Sequence, residues 1–87
     1  MQDKDYINLK QLENSRSTNV IYVCSNIDSA KVHFNEMLRK EDIKNLEFIS
    51  RQRLVIKLMH GDFYYFISQS NINSLIGRSY KKIEFIN

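Results

Sequence analysis

Proline and tryptophan are absent from this chain, glycine occurs twice and cysteine once. With glycine only at Gly61 and Gly77, few positions break the backbone, and long stretches can enter regular structure. The lone Cys24 excludes an intramolecular disulfide, and with it the small secreted scaffolds stapled by several; a reducing compartment is expected. Cys24, His33 and His60 are the only thiol and imidazole side chains, and their spacing fits no zinc pattern. There is no glycine-rich phosphate loop and no Gly-x-Ser-x-Gly nucleophile elbow. No apolar run is long enough to cross a bilayer, and the opening MQDKDY lacks the apolar core of a secretion signal. The expectation is a cytoplasmic protein without membrane contact, cofactor, metal or catalysis.

What is present suits one small domain. At 87 residues the chain can bury roughly 60–65% of its unfolded surface, which leaves little room for an internal ligand cavity. Hydrophobic residues at 43% and charged residues at 26% are ordinary globular values and argue against disorder. The densest β signal is Arg53 to Ser68. Leu54, Ile56 and Leu58 alternate with Val55, Lys57 and Met59, His60-Gly61-Asp62 intervenes, and Phe63-Tyr64-Tyr65-Phe66-Ile67 follows. Branched and aromatic residues around a glycine that can take positive φ predict a β-hairpin.

Upstream, residues 1–19 are mostly polar, with Tyr6, Leu9 and Leu12 at helical spacing, so an N-terminal arm or short helix from about Asp5 to Asn14 precedes a domain over 20–87. Val20-Ile21-Tyr22-Val23-Cys24 is continuously apolar, the pattern of a central strand covered on both faces. Ser25-Asn26-Ile27-Asp28 fits a capping box, with Ser25 as the cap. The helix after it, Asn26 to Lys40, carries Ile27, Ala30, Phe34, Met37 and Leu38 on one stripe. Leu46 to Ser50 reads as a short strand, and strand-helix-strand suggests a right-handed parallel crossover. Ser70 or Asn71 can cap a short helix ending at Gly77, and Tyr80 to Ile86 forms a last strand with Ile83 and Phe85 on one face and Lys82 and Glu84 on the other. The expected fold is α+β or α/β, a sheet of about five strands with one main helix across it.

Charge is unevenly spread. Residues 1–50 hold seven basic and eight acidic side chains, whereas residues 51–87 hold six and two. Arg51, Arg53, Lys57, Arg78, Lys81 and Lys82 therefore form a candidate phosphate-binding set. Strand alternation separates Phe63 and Tyr65 from Tyr64 and Phe66, so one aromatic pair is core and the other half-exposed. Tyr64 beside Arg53 and Lys57 is the candidate base-stacking or partner-anchoring ring. Cys24 reads as a small core residue, and Asp28, Glu36 and Asp62 have local roles as cap, solvated helix residue and turn former.

The segments Ile21-Tyr22-Val23-Cys24 with the helix after it, Gly61-Asp62 with Phe66-Ile67-Ser68, and Leu75-Ile76-Gly77-Arg78-Ser79-Tyr80 leading into Ile83-Glu84-Phe85-Ile86 resemble, over most of residues 20–87, part of the ATPase core of phage terminase large subunits and related helicase-like proteins. In that family a Gly-Lys-Ser or Gly-Lys-Thr loop cradles phosphates and an acidic residue after the last strand holds magnesium. This chain has no such loop and places Asn87 at the acidic position, so nucleotide hydrolysis is not carried over. The resemblance implies a non-catalytic phage or mobile-element accessory protein, acting in the host cytoplasm, that binds a protein partner as an inhibitor or adaptor of nucleic-acid-processing machinery. A nucleic-acid-binding module using the basic C-terminal half is the alternative. A homodimer through an exposed strand edge is a third kind of association, since the hairpin strands are long and apolar.

Overall fold

The apolar run at Val20 becomes the inner strand of a five-stranded mixed sheet. The computed structural model describes residues 12–59, 61–75 and 78–86. Its strands are β1 (Asn19–Cys24), β2 (Leu46–Ser50), β3 (Val55–Leu58), β4 (Phe63–Ser68) and β5 (Lys82–Phe85), in the spatial order β2-β3-β4-β1-β5. β1 runs parallel to β4 and β5, with Ile21 opposite both Tyr65 and Ile83. β3 is antiparallel to β2 and β4. One main helix, α1 (Ile27–Lys40), packs on this sheet and makes the chain a single small α+β domain. Among the described residues no helix is long and apolar enough to cross a membrane.

β1 is apolar on both sides because both sides are covered. Cys24 meets Ala30, Phe34, Leu54, Ile56 and Phe66 under α1, while Ile21 and Val23 meet Leu75, Tyr80 and Ile83 on the other side. Phe34 lies edge-on to Phe66, ring centroids 6.0 Å apart. The helix stripe read from the sequence holds for Ala30 and Phe34, which are buried, and for Met37 and Leu38, which pack at the margin; Ile27 stays exposed. The cap differs from expectation. Asn26, not Ser25, accepts the Ser29 N–H at 2.8 Å, because Asn26 holds the extended backbone of a cap while the helix begins at Ile27. Asp28 still sits in the first turn, and Arg39 and Lys40 in the last, where each complements the helix dipole.

The hairpin forms as expected, with Gly61 in its turn at φ 98°. Its first strand starts one residue late, because Leu54 takes φ 56° in the turn after β2. A left-handed leucine costs roughly 1–2 kcal/mol. Burial of the Leu54 side chain against Ile56 and Phe66 offsets that, since a fully buried leucine contributes about 1.5–3 kcal/mol.

Three further expectations change. The strand that follows α1 does not pair with β1: β2 runs parallel to it but with two strands, β3 and β4, between them, and the parallel neighbours of β1 come from later in the chain. The segment after β4 is a 3₁₀ stretch, Gln69–Leu75, that begins before Ser70 and kinks at Asn71. Its expected end at Gly77 lies outside the described residues. Of the expected N-terminal helix, residues 5–11 lie outside them too, and Leu12 to Asn14 are not helical. Glu13 bridges Tyr80 in parallel fashion, Leu12 O accepts the Tyr80 N–H at 3.0 Å, and the Glu13 carboxylate accepts the Ile83 N–H at 2.8 Å. This segment closes the outer edge of β5, whose pairing is shorter than the predicted Tyr80 to Ile86.

Phe34→Ala empties a fully buried site and is expected to lower unfolding free energy by about 3–5 kcal/mol in urea titration. At Leu54, alanine keeps the positive-φ strain that glycine removes, so Leu54→Gly is expected to be less destabilising than Leu54→Ala by about 1 kcal/mol. The opposite order in the same titration would show that residue 54 gains nothing from glycine's backbone freedom.

Candidate nucleic-acid interface

The face of the sheet opposite α1 is only half covered. Over β4, β1 and β5 the 3₁₀ stretch, Leu12 and Tyr80 pack on Ile21, Val23, Ile67 and Ile83. Over β2 and β3 no helix or strand lies on it among the described residues, although Val55 is buried at the floor of that half. There Phe48, Val55, Phe63 and Tyr65 line a cleft of about 450 Å³ with Arg53 and Arg78 at its rim. Phe63 and Tyr65, two residues apart on β4, share this face with ring centroids 6.0 Å apart. The Lys57 ammonium stands 5.4 Å from the centroid of Phe63 and pairs with Glu47.

Phe48 reaches this cleft through an irregularity in β2. Leu46 lies opposite Leu58 but Phe48 lies opposite Lys57, so a bulge between them breaks the alternation. In a regular strand Phe48 would share the face of Leu46 beneath α1. Instead it is 48% exposed on the open side. No residue pattern in Leu46 to Ser50 signals the bulge, which is why sequence reading missed Phe48.

The residues expected to form one site are divided between two faces. Arg53, Lys57 and Arg78 come together on the open side. Tyr64 does not join them: it lies on the α1 side, stacked on Tyr22 at 6.3 Å with the rings 10° apart, and Tyr22 stacks in turn on Phe66 at 5.1 Å. The rings beside the cations are Phe63 and Tyr65. Lys81 is held by Asp62 at 2.9 Å and Lys82 by Glu84 at 3.2 Å, so much of their charge is locally balanced. Arg51 is exposed in the turn leaving β2. His60 lies outside the described residues.

Other chemistry-bearing side chains have structural places. Cys24 is 1% exposed, and burial pushes its thiol above the ordinary value, which disfavours the reactive thiolate. His33 is half-buried beside Tyr22, Met37 and Glu41 in a groove of about 290 Å³ along α1. Glu36 pairs with Arg39 one turn on. Among the described residues no group of three or more His, Cys, Asp or Glu side chains converges as metal ligands would. The open cleft thus offers flat apolar rings and planar guanidinium groups, which bind by stacking and by forked hydrogen bonds.

Comparison with protein-family models, with curated proteins and with solved structures finds no match to this chain.

Burial raises the hydroxyl pKa of Tyr22, Tyr64 and Tyr80 above the ordinary 10.0, with Glu84 adding to the shift at Tyr22 and Asp62 at Tyr64. The Asp62 hydrogen bond likewise raises Lys81. In each case the folded state holds its proton to higher pH than the unfolded chain. Their contribution is complete below the ordinary pKa and is lost as pH climbs through it toward the raised folded value. The urea midpoint should therefore hold through neutral pH and fall above about pH 10. Tyr22→Phe should flatten that fall, as tyrosinate absorbance during the titration will show.

Proposed function

We propose that the open half of the sheet binds single-stranded nucleic acid. The observation that carries this reading is the gathering of Phe48, Phe63 and Tyr65 with Arg53, Lys57 and Arg78 on one half-open face. Unpaired bases expose flat π surfaces that stack on such rings at about 1–3 kcal/mol each, whereas a duplex hides those surfaces in its own stack. Arg53 and Arg78 hold phosphates from the rim, and Phe48, Phe63 and Tyr65 receive bases. Lys57 serves mainly to orient Phe63, because Glu47 already neutralises much of its charge.

The same arrangement supports a second reading. Rings flanked by arginines are also what anchors a protein contact, and the chain's net charge of +3 is modest for a dedicated phosphate reader. On that reading the cleft grips an acidic patch of nucleic-acid-processing machinery, and the protein is a non-catalytic phage or mobile-element accessory factor, an inhibitor or adaptor.

Titration against labelled single- and double-stranded oligonucleotides separates the two. Single strands should bind more tightly than duplex. Two or three phosphate contacts should give log-log salt slopes of about −1.5 to −2 on single strands. Phe48→Ala should weaken binding roughly fivefold or more, and Arg53→Glu with Arg78→Glu should abolish it, while Lys81→Glu leaves it unchanged. No binding at low salt ends the nucleic-acid reading and leaves the protein-partner one.

A further inference from the structure

The two edges of the sheet are treated differently. At β5 the Glu13 carboxylate occupies the Ile83 N–H and Glu13 bridges Tyr80, so a strand arriving there meets a closed edge. At β2 the outer main chain has no such cover among the described residues. The hydrogen bonds of β3 show which groups of β2 face outward. Leu54 O accepts the Phe66 N–H and Leu58 N–H donates to Asp62 O, so the even-numbered residues of β3 bond toward β4. The odd-numbered ones bond toward β2, as Met59 N–H does to Asn45 O. Ser50 faces Val55 and therefore bonds inward; Ile49 faces Ile56 and turns its own N–H and C=O outward.

Apolar exposure gathers at the same place. Ile43 (83%), Phe48 (48%), Ile49 (39%) and Met59 (59%) lie on β2 or beside it, four of the six large hydrophobic side chains exposed among the described residues. An open, apolar edge without proline invites another strand. The bulge between Leu46 and Phe48 confines the usable run to the residues from Glu47 to the turn at Arg51.

We infer that β2 pairs antiparallel with β2 of a second copy, about a two-fold axis at Ile49. Charge complementarity singles out that register. Centred on Ile49, it sets Glu47, which already pairs with Lys57 of its own chain, opposite Arg51 in the turn just beyond β2 of the second copy, and Arg51 opposite its Glu47, so that each Glu47 would lie between two cations in one symmetric contact. Centred on Phe48 it sets Arg51 opposite Asn45, and centred on Glu47 it opposes two carboxylates. The axis stands perpendicular to the joined sheet, so both copies of α1 lie on one side and both aromatic clefts on the other. The two Phe48 rings flank the seam, and the clefts form one continuous face across ten strands. The seam is short, so the dimer dissociates in the micromolar range and is visible only as concentration rises.

Molar mass measured by sedimentation over a concentration series, without nucleic acid, tests this independently of the proposed function. The mass should rise from monomer toward dimer. Ile49→Pro removes an outward N–H while leaving the inward ladder in place, and should hold the protein monomeric with an unchanged circular dichroism spectrum. Arg51→Glu, at an exposed turn position that tests the contact even if Ile49→Pro fails to fold, should weaken the dimer about tenfold, and Glu47→Arg added to it should restore most of the loss. A monomeric mass at the highest soluble concentration overturns the inference, as does a dimer that survives both Ile49→Pro and Arg51→Glu. Binding of short single strands by the Ile49→Pro monomer would leave the cleft reading intact while the edge inference stands or falls on mass alone.

Discussion

β1 has no solvated face, and the remaining elements are arranged around that burial. A strand built from Val20, Ile21, Val23 and Cys24 exposes apolar surface in both directions, so it needs a strand on each side and a layer above and below. β4 and β5 supply the flanks. α1 supplies one layer through Ala30 and Phe34, and the 3₁₀ stretch with Leu75 and Tyr80 supplies the other. Tyr80 anchors that second layer, its hydroxyl donating to Leu75 O at 3.0 Å so that a polar group is buried without an unmet hydrogen bond.

The two layers differ in reach, and that difference creates the cleft. α1 spans 14 residues and meets the cluster that runs from β1 to β3. The 3₁₀ stretch has 7 residues and a kink, and packs over the part of the sheet nearest β1 and β5. Beyond it Phe48 is exposed and Phe63 and Tyr65 are half-buried along the cleft. In so small a chain a third covering element would leave few residues for anything else, so part of the sheet stays half open. Position within the fold, more than the count of basic residues, decides which cations face a carboxylate. Lys81 and Lys82 add to the charge of the C-terminal half, yet each faces a carboxylate within hydrogen-bonding reach. Ion pairs this exposed contribute little to stability, but they do lower the positive potential available to a ligand.

Much of the architecture follows from local residue patterns. The β1 run, the hairpin across Gly61, the buried stripe of α1 and the facing of Ile83 and Phe85 are all legible because side-chain period and turn chemistry are short-range properties. The misreadings fall where two local signals compete or where a partner is distant. Ser25 and Asn26 are both competent caps, and only the helix start selects Asn26. The parallel neighbours of β1 lie forty or more residues away in sequence, so pairing order cannot be read from adjacency alone.

For the site, strand alternation is enough to put Phe63 and Tyr65 on one face and Tyr64 and Phe66 on the other, and chain proximity is enough to set Arg53 and Lys57 beside them, whereas Arg78 joins them only through the fold. Which aromatic pair stays open was decided by tertiary structure, because it depends on the side that α1 takes. That choice sends Tyr64 into a stack with Tyr22 and leaves Phe63 and Tyr65 beside the arginines. The placement of Phe48 was likewise tertiary. A one-residue bulge in β2 moves it across the sheet, and such a bulge depends on how two strands register against each other rather than on the residues of either one.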